Sequence, residues 1–143
     1  MKRAIGWALR LGLGGLFVVT GILKLRDPAG FATAIANYQL WPQRAALLAA
    51  TLPATEILVG LTLLAAPRPW RRAAAIAIAL MVAVFTVAAT SAVVRHIDIS
   101  CGCFGSDSGR IDALTIVRDL ALLAAAIALA LLESQAVSGE VRA

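Results

Sequence analysis

With 143 residues, 61% of them hydrophobic and only 15% charged, the chain is far more apolar than soluble domains, which run at about 45–50% apolar and about 25% charged. That composition excludes a disordered chain, a disulfide-rich secreted module and a soluble Rossmann-type or barrel enzyme. The net charge of +5 comes from Lys and Arg flanking apolar runs. No basic stretch is interleaved with aromatics to follow a phosphate backbone, so nucleic acid is not expected as a partner.

Four runs, Ala4–Leu25, Ala46–Ala66, Ala73–Val94 and Ile111–Leu132, each match the ~20 residues that cross a ~30 Å hydrocarbon layer. They predict an all-α membrane protein: one domain over 1–143, a four-transmembrane-helix bundle in a lipid bilayer. The first run follows Met1-Lys2-Arg3 and ends in Lys24-Leu25-Arg26-Asp27-Pro28. It is longer than a signal peptide's apolar region and lacks a small-residue cleavage site, so it reads as a retained helix. Gly12, Gly14, Gly15 and Gly21 make one side of it small, which favours close helix approach in lipid. Arg10 is expected to snorkel towards the nearer interface.

In the connection 26–45, Asp27 is placed to cap a helix beginning at Pro28. Phe31, Ile35 and Tyr38 share one helical face, and Pro42 stops the segment. This predicts a short interfacial helix between spans one and two, with Tyr38 and Trp41 at headgroup level. The second span contains Pro53 and Glu56, and Pro67-Arg68-Pro69-Trp70-Arg71-Arg72 reads as a basic turn into the third. There Thr86 and Thr90 form a minor stripe suited to packing. The connection 95–110 is polar and holds both cysteines. The fourth span is expected near Ile111, capped by Asp107 or Ser108, with a mobile polar tail after Leu132.

An even number of spans puts both ends of this chain on one side. That side holds Lys2, Arg3, Arg68, Arg71, Arg72 and Arg142; the longer connections opposite hold Arg26, Arg44, Arg95 and Arg110. The positive-inside rule therefore predicts cytoplasmic termini and, in a bacterial inner membrane, a periplasmic cysteine loop.

Two features carry chemistry. In Ser100-Cys101-Gly102-Cys103-Phe104-Gly105, a single Gly separates the thiols, and Gly102 permits the sharp bend that would close them into a ring. So small a ring is strained, and strained exposed disulfides are the oxidising, labile ones. Arg95, Arg110 and the start of the fourth helix would lower a nearby thiol's pKa. The plain alternative is two small loop residues; a rival is a zinc or copper site using His96, Cys101 and Cys103, whose spacing fits no strong zinc pattern. The second feature is charge inside the spans. Glu56 lies roughly 18 Å past Arg44, and Arg118 and Asp119 roughly 12–14 Å past Arg110, at 1.5 Å per residue. Similar depth predicts a Glu56–Arg118 pair, read either as a structural pin or as a proton or quinone site fed by the dithiol. Asp112, Thr115 and Asp119 form a stripe expected to face the bundle interior.

These residues resemble the MauE branch of the MauE/DoxX family. The likeness rests on Gly21-x-x-Lys24-Leu25-x-Asp27-Pro28-x-x-Phe31 followed by Tyr38 and Pro42, on Pro53-x-x-Glu56 and Gly60, on Cys101-Gly102-Cys103-Phe104-Gly105 as the most specific piece, and on Arg118-Asp119. The resemblance implies a redox-associated inner-membrane protein that aids maturation of a disulfide-rich periplasmic methylamine dehydrogenase subunit beside a thioredoxin-like partner. The expected function is thus thiol–disulfide exchange at the periplasmic face. Cys101 and Cys103 would be the redox pair, supported by Gly102, Glu56, Arg118 and Asp119. The competing expectations are a non-catalytic membrane scaffold for the thioredoxin-like partner and a metal-handling protein.

Overall fold

The computed structural model describes residues 1–99 and 113–141. Its helices are α1 (Lys2–Arg26), α2 (Pro28–Asn37), α3 (Ala45–Ala65), α4 (Arg68–Val94) and α5 (Ala113–Val141), with a 3₁₀ turn, Pro42–Arg44, leading into α3. Among the described residues, α1, α3, α4 and α5 are long and apolar enough to cross a membrane. The protein is therefore a four-span α-helical membrane bundle, with α2 as the short helix between spans one and two.

Local chemistry sets the boundaries. Asp27 leaves helical geometry, its Oδ1 accepts the Gly30 amide at 2.9 Å, and Pro28 opens α2. α2 ends at Gln39, which takes a left-handed φ of 55° and donates its amide to Ala36 O. α4 ends likewise at His96, with φ 54°. The His96 amide reaches Val93 O and the Ile97 amide reaches Ala92 O, the paired bonds of a Schellman end. The basic segment 67–72 is not the turn expected of it. Proline suits a first helical turn, so Pro69 sits inside the start of α4, and only Ala66 and Pro67 separate α3 from α4. Beyond Leu132 the chain is helical, with α5 continuing to Val141. No proline interrupts residues 133–141, and Glu133 accepts from Arg71 Nη2 of α4 at 3.2 Å.

The spans pack in a ring: α1 against α3 and α5, α4 against α3 and α5, with α2 lying on α3. Residues Ala45, Ala49, Pro53, Glu56, Gly60 and Leu63 of α3 are buried at spacings of three and four, one helical face turned inward. Large apolar side chains such as Leu58, Leu80, Val87 and Leu131 stay exposed, as lipid contact requires. Exposed Trp7 and Trp70 mark one end of the bundle and Trp41 the other, where interfacial aromatics belong.

The closest approach is α1 on α3. A methyl group on Gly21 would lie 2.8 Å from Pro53 O, and one on Gly60 would lie 2.8 Å from Gly14 O. Gly12 and Gly15 have open space, so the contact uses Gly14 and Gly21 rather than all four glycines. Beyond this contact the interior divides in two. Leu13, Leu63, Ile78, Ala126 and Leu129 fill the half towards the chain ends with a dry core. At that end Arg10 is buried instead of snorkelling. Its Nη2 and Nε donate to Leu64 O and Leu63 O at 2.8 and 3.3 Å, satisfying carbonyls left open where α3 stops.

Candidate functional site

The other half of the interior is polar. Side-chain tilt explains how its first pair forms. Helical side chains lean towards their own N-terminus, and α1 and α3 run antiparallel. Lys24, one turn beyond Gly21, therefore leans back down α1 while Glu56 leans up α3, and the two meet beside the Gly21–Pro53 contact. Lys24 Nζ donates to Glu56 Oε1, with the side chains 3% and 2% exposed. The ammonium also sits 5.1 Å from the ring centres of Phe31 on α2 and Phe85 on α4, so two aromatic faces replace part of its lost hydration.

Across from this pair, on α5, Arg118 donates from Nε and Nη2 to Asp119 Oδ1 at 3.1 and 2.9 Å. Asp119 is buried, whereas the Arg118 side chain is 36% exposed. Thr20, Lys24, Glu56, Arg118 and Asp119 line one cavity of about 50 Å³, walled by apolar groups that include Phe17 and Phe85. Glu56 Oε2 and Asp119 Oδ2 are buried without a hydrogen-bond partner among the described residues. Tyr38, at the end of α2, is held neutral beside this cluster. Burial and then the Asp119 carboxylate push its hydroxyl up to about 12. Arg95 at the end of α4 fixes that corner, donating to Tyr38 O at 3.0 Å and to Gln39 Oε1 at 3.3 Å.

Glu56, Arg118 and Asp119 are thus brought together, as their depths suggested, but the pairing differs. Glu56 bonds Lys24, and Arg118 bonds its chain neighbour. Estimates of depth along the membrane normal carry no information on the rotation of each helix about its axis. Lys24 stands at the end of the first apolar run, yet it belongs to the site. Its signal was the inward spacing Leu13, Phe17, Thr20 and Lys24, which places it on the buried face of α1. Thr115 and Asp119 face inward as the stripe required. Thr86 and Thr90 return their hydroxyls to Val82 O and Thr86 O of their own helix, which is packing. Cys101, Gly102, Cys103 and Asp112 lie outside the described residues.

The cluster lies at the α2 end of the bundle, the end at which the connection from α4 to α5 carries both cysteines. A family model described as "Methylamine utilisation protein MauE" matches residues 2–132, nearly the whole chain. No curated protein and no solved structure matches the chain.

Proposed function

The chain belongs to the MauE family, and from that premise we propose that it supports thiol–disulfide exchange at the periplasmic face of a bacterial inner membrane. The observation that carries the reading is positional. Both cysteines fall in the connection that enters α5, and the ion pair of Arg118 with the buried Asp119 follows within the first two turns of that helix. The arginines at the opposite end support, by the positive-inside rule, a connection outside the cytoplasm, where a dithiol can be oxidised.

Exchange needs no external oxidant. A thiolate of a thioredoxin-like partner attacks one sulfur of a Cys101–Cys103 disulfide. A mixed disulfide forms, and the other sulfur leaves as thiolate. The partner's second thiolate then resolves the mixed disulfide, so the partner is oxidised and Cys101 and Cys103 become a dithiol. The reverse sequence delivers electrons the other way. The family's description supports methylamine utilisation as the setting; in this reading the client is a disulfide-containing periplasmic protein of that pathway.

Thiol trapping in intact cells with a mass-tagged alkylating reagent tests this. The wild type should be trapped as a mixture of dithiol and disulfide, and a single-cysteine variant should accumulate a mixed disulfide with a thioredoxin-like protein. Reporter fusions at Gly109 and at Ala143 should report opposite sides of the membrane. Full client maturation by Cys101→Ser/Cys103→Ser would remove the redox role and leave a membrane scaffold in its place.

A further inference from the structure

We propose that the end of the bundle carrying Trp7 and Trp70 is a docking surface for anionic phospholipid headgroups, with the exposed guanidinium groups of Arg3 and Arg72 taking the phosphodiesters. The proposal goes beyond thiol exchange. It depends neither on that reading nor on which leaflet this end faces.

Segregation of charge is the first support. Segments 1–13, 64–79 and 126–143 form the half of the chain towards its ends in the bundle, and they hold seven basic residues against two acidic ones, Glu133 and Glu140. Segments 14–63 and 80–125 form the other half and hold six of each. The whole net charge of +5 therefore belongs to one end of the molecule. The inner cations of that end are used by the fold itself. Arg10 donates to Leu63 O and Leu64 O, and Arg71 to Glu133 Oε2. Arg3 and Arg72 are exposed instead, within the first two turns of α1 and α4. A helix dipole disfavours cations near its N-terminal end, and neither first turn contains an acid to offset them. An anion from outside the chain offsets both the dipoles and the excess charge.

Depth is the second support, and it selects a lipid as the source of that anion. Trp7 on α1 and Trp70 on α4 are both exposed, and indoles at the end of a span settle at headgroup level. Arg3 stands about 6 Å further out along α1 than Trp7, and Arg72 about 3 Å further in along α4 than Trp70, at 1.5 Å per residue. Both offsets are within the reach of a snorkelling arginine, so the two guanidinium groups meet the phosphate layer. A guanidinium matches a phosphodiester with paired hydrogen bonds. A zwitterionic headgroup brings its own ammonium, which cancels much of the attraction, whereas an anionic one does not. Each cation near a membrane surface raises affinity for anionic lipid about five-fold. At the opposite end Trp41 is just as exposed, but the charges there balance, so no such preference is expected.

The three tryptophans make the test local. The intact protein is placed in vesicles of phosphatidylethanolamine with phosphatidylglycerol as the minor lipid, and bromine on the acyl chains of one lipid quenches the indoles it touches. Brominated phosphatidylglycerol is compared with brominated phosphatidylethanolamine at the same mole fraction. Trp41→Phe leaves Trp7 and Trp70 as reporters, and Trp7→Phe/Trp70→Phe leaves Trp41. At low salt, phosphatidylglycerol should be enriched about five-fold around Trp7 and Trp70 and not around Trp41. The enrichment should shrink as sodium chloride is added, and most of it should vanish in Arg3→Gln/Arg72→Gln. Should that variant not insert, the salt series on the Trp41→Phe protein decides. Equal quenching by the two lipids at Trp7 and Trp70 overturns the proposal, as does an equal excess at Trp41 or an excess indifferent to salt or to loss of the two arginines. Sodium phosphate abolishing the excess where sodium chloride of equal ionic strength does not would assign the surface to a soluble anion and also overturn it.

Discussion

Removing Glu56 or Lys24 singly exposes how much the polar half of the interior depends on their pairing. Glu56→Gln leaves an ammonium 3% exposed, facing two rings and deprived of its bonded carboxylate. Breaking a buried ion pair from one side costs about 3–5 kcal/mol, because the surviving charge is left uncompensated. Neutral hydrogen bonds inside membrane proteins average about 0.6 kcal/mol and reach about 1.7 kcal/mol. These two scales do not overlap, so a double-mutant cycle can tell which interaction is present. Glu56→Gln and Lys24→Met should each lower stability by about 3 kcal/mol, more than a hundred-fold in the folded-to-unfolded ratio. The combined variant should cost far less than the sum, with a coupling above about 2 kcal/mol. Reversible unfolding in mixed micelles, followed by far-ultraviolet circular dichroism, supplies the numbers. A parallel cycle with Arg118→Gln in place of Lys24→Met should show weak coupling to Glu56, since Arg118 bonds Asp119. Additivity of Lys24→Met and Glu56→Gln within about 0.5 kcal/mol would refute the pairing.

The α1–α3 contact predicts a graded series: Gly21→Ala and Gly60→Ala, whose methyls would meet backbone oxygens at 2.8 Å, should lose about 1–3 kcal/mol in the same unfolding assay. Gly12→Ala and Gly15→Ala, in open space, should be neutral or gain up to about 1 kcal/mol from helix propensity. Tyr38 is the one tyrosine in the chain, so alkaline absorbance titration reads it alone. Its midpoint should lie near 12 rather than 10, and a midpoint near 10 in the folded protein would contradict its burial. Because the unfolded hydroxyl ionises first, Tyr38's contribution to stability should be intact below pH 10.0 and be lost as pH rises towards about 12.

Sequence reasoning succeeded where the information is one-dimensional. The four spans are contiguous apolar runs, and the start of α2 is spelled by Asp27-Pro28, a cap three residues from the amide it accepts and a first-turn proline. It faltered where azimuth decides. Glycines at 12, 14, 15 and 21 point in several directions around α1, and only Gly60 and Pro53 on the facing helix select Gly14 and Gly21. Arg10 fits a snorkelling position by depth, yet the broken-off carbonyls of α3 lie within its reach and bind it more fully than headgroups would. The Arg71–Glu133 pair joins residues distant in sequence, so composition after Leu132 could not announce it.

The unequal filling of the bundle fixes where it can breathe. Towards the chain ends, interlocked aliphatic side chains and carbonyls clamped by Arg10 make separation of the helices as expensive as unfolding the whole. Towards α2, ion pairs around a void take the place of part of that packing, beside buried apolar residues such as Phe31, Ala34 and Ala89, so partial opening there sacrifices less apolar burial. Phe17 borders both regions and acts as the floor between them. Amide hydrogens in α3 near Leu63 should therefore exchange only with global unfolding, while those near Pro53, where the helix also lacks one amide, exchange through a cheaper, local excursion. A membrane bundle built this way works like a tweezer: fixed at the closed end, free to spread slightly at the end where its polar groups are.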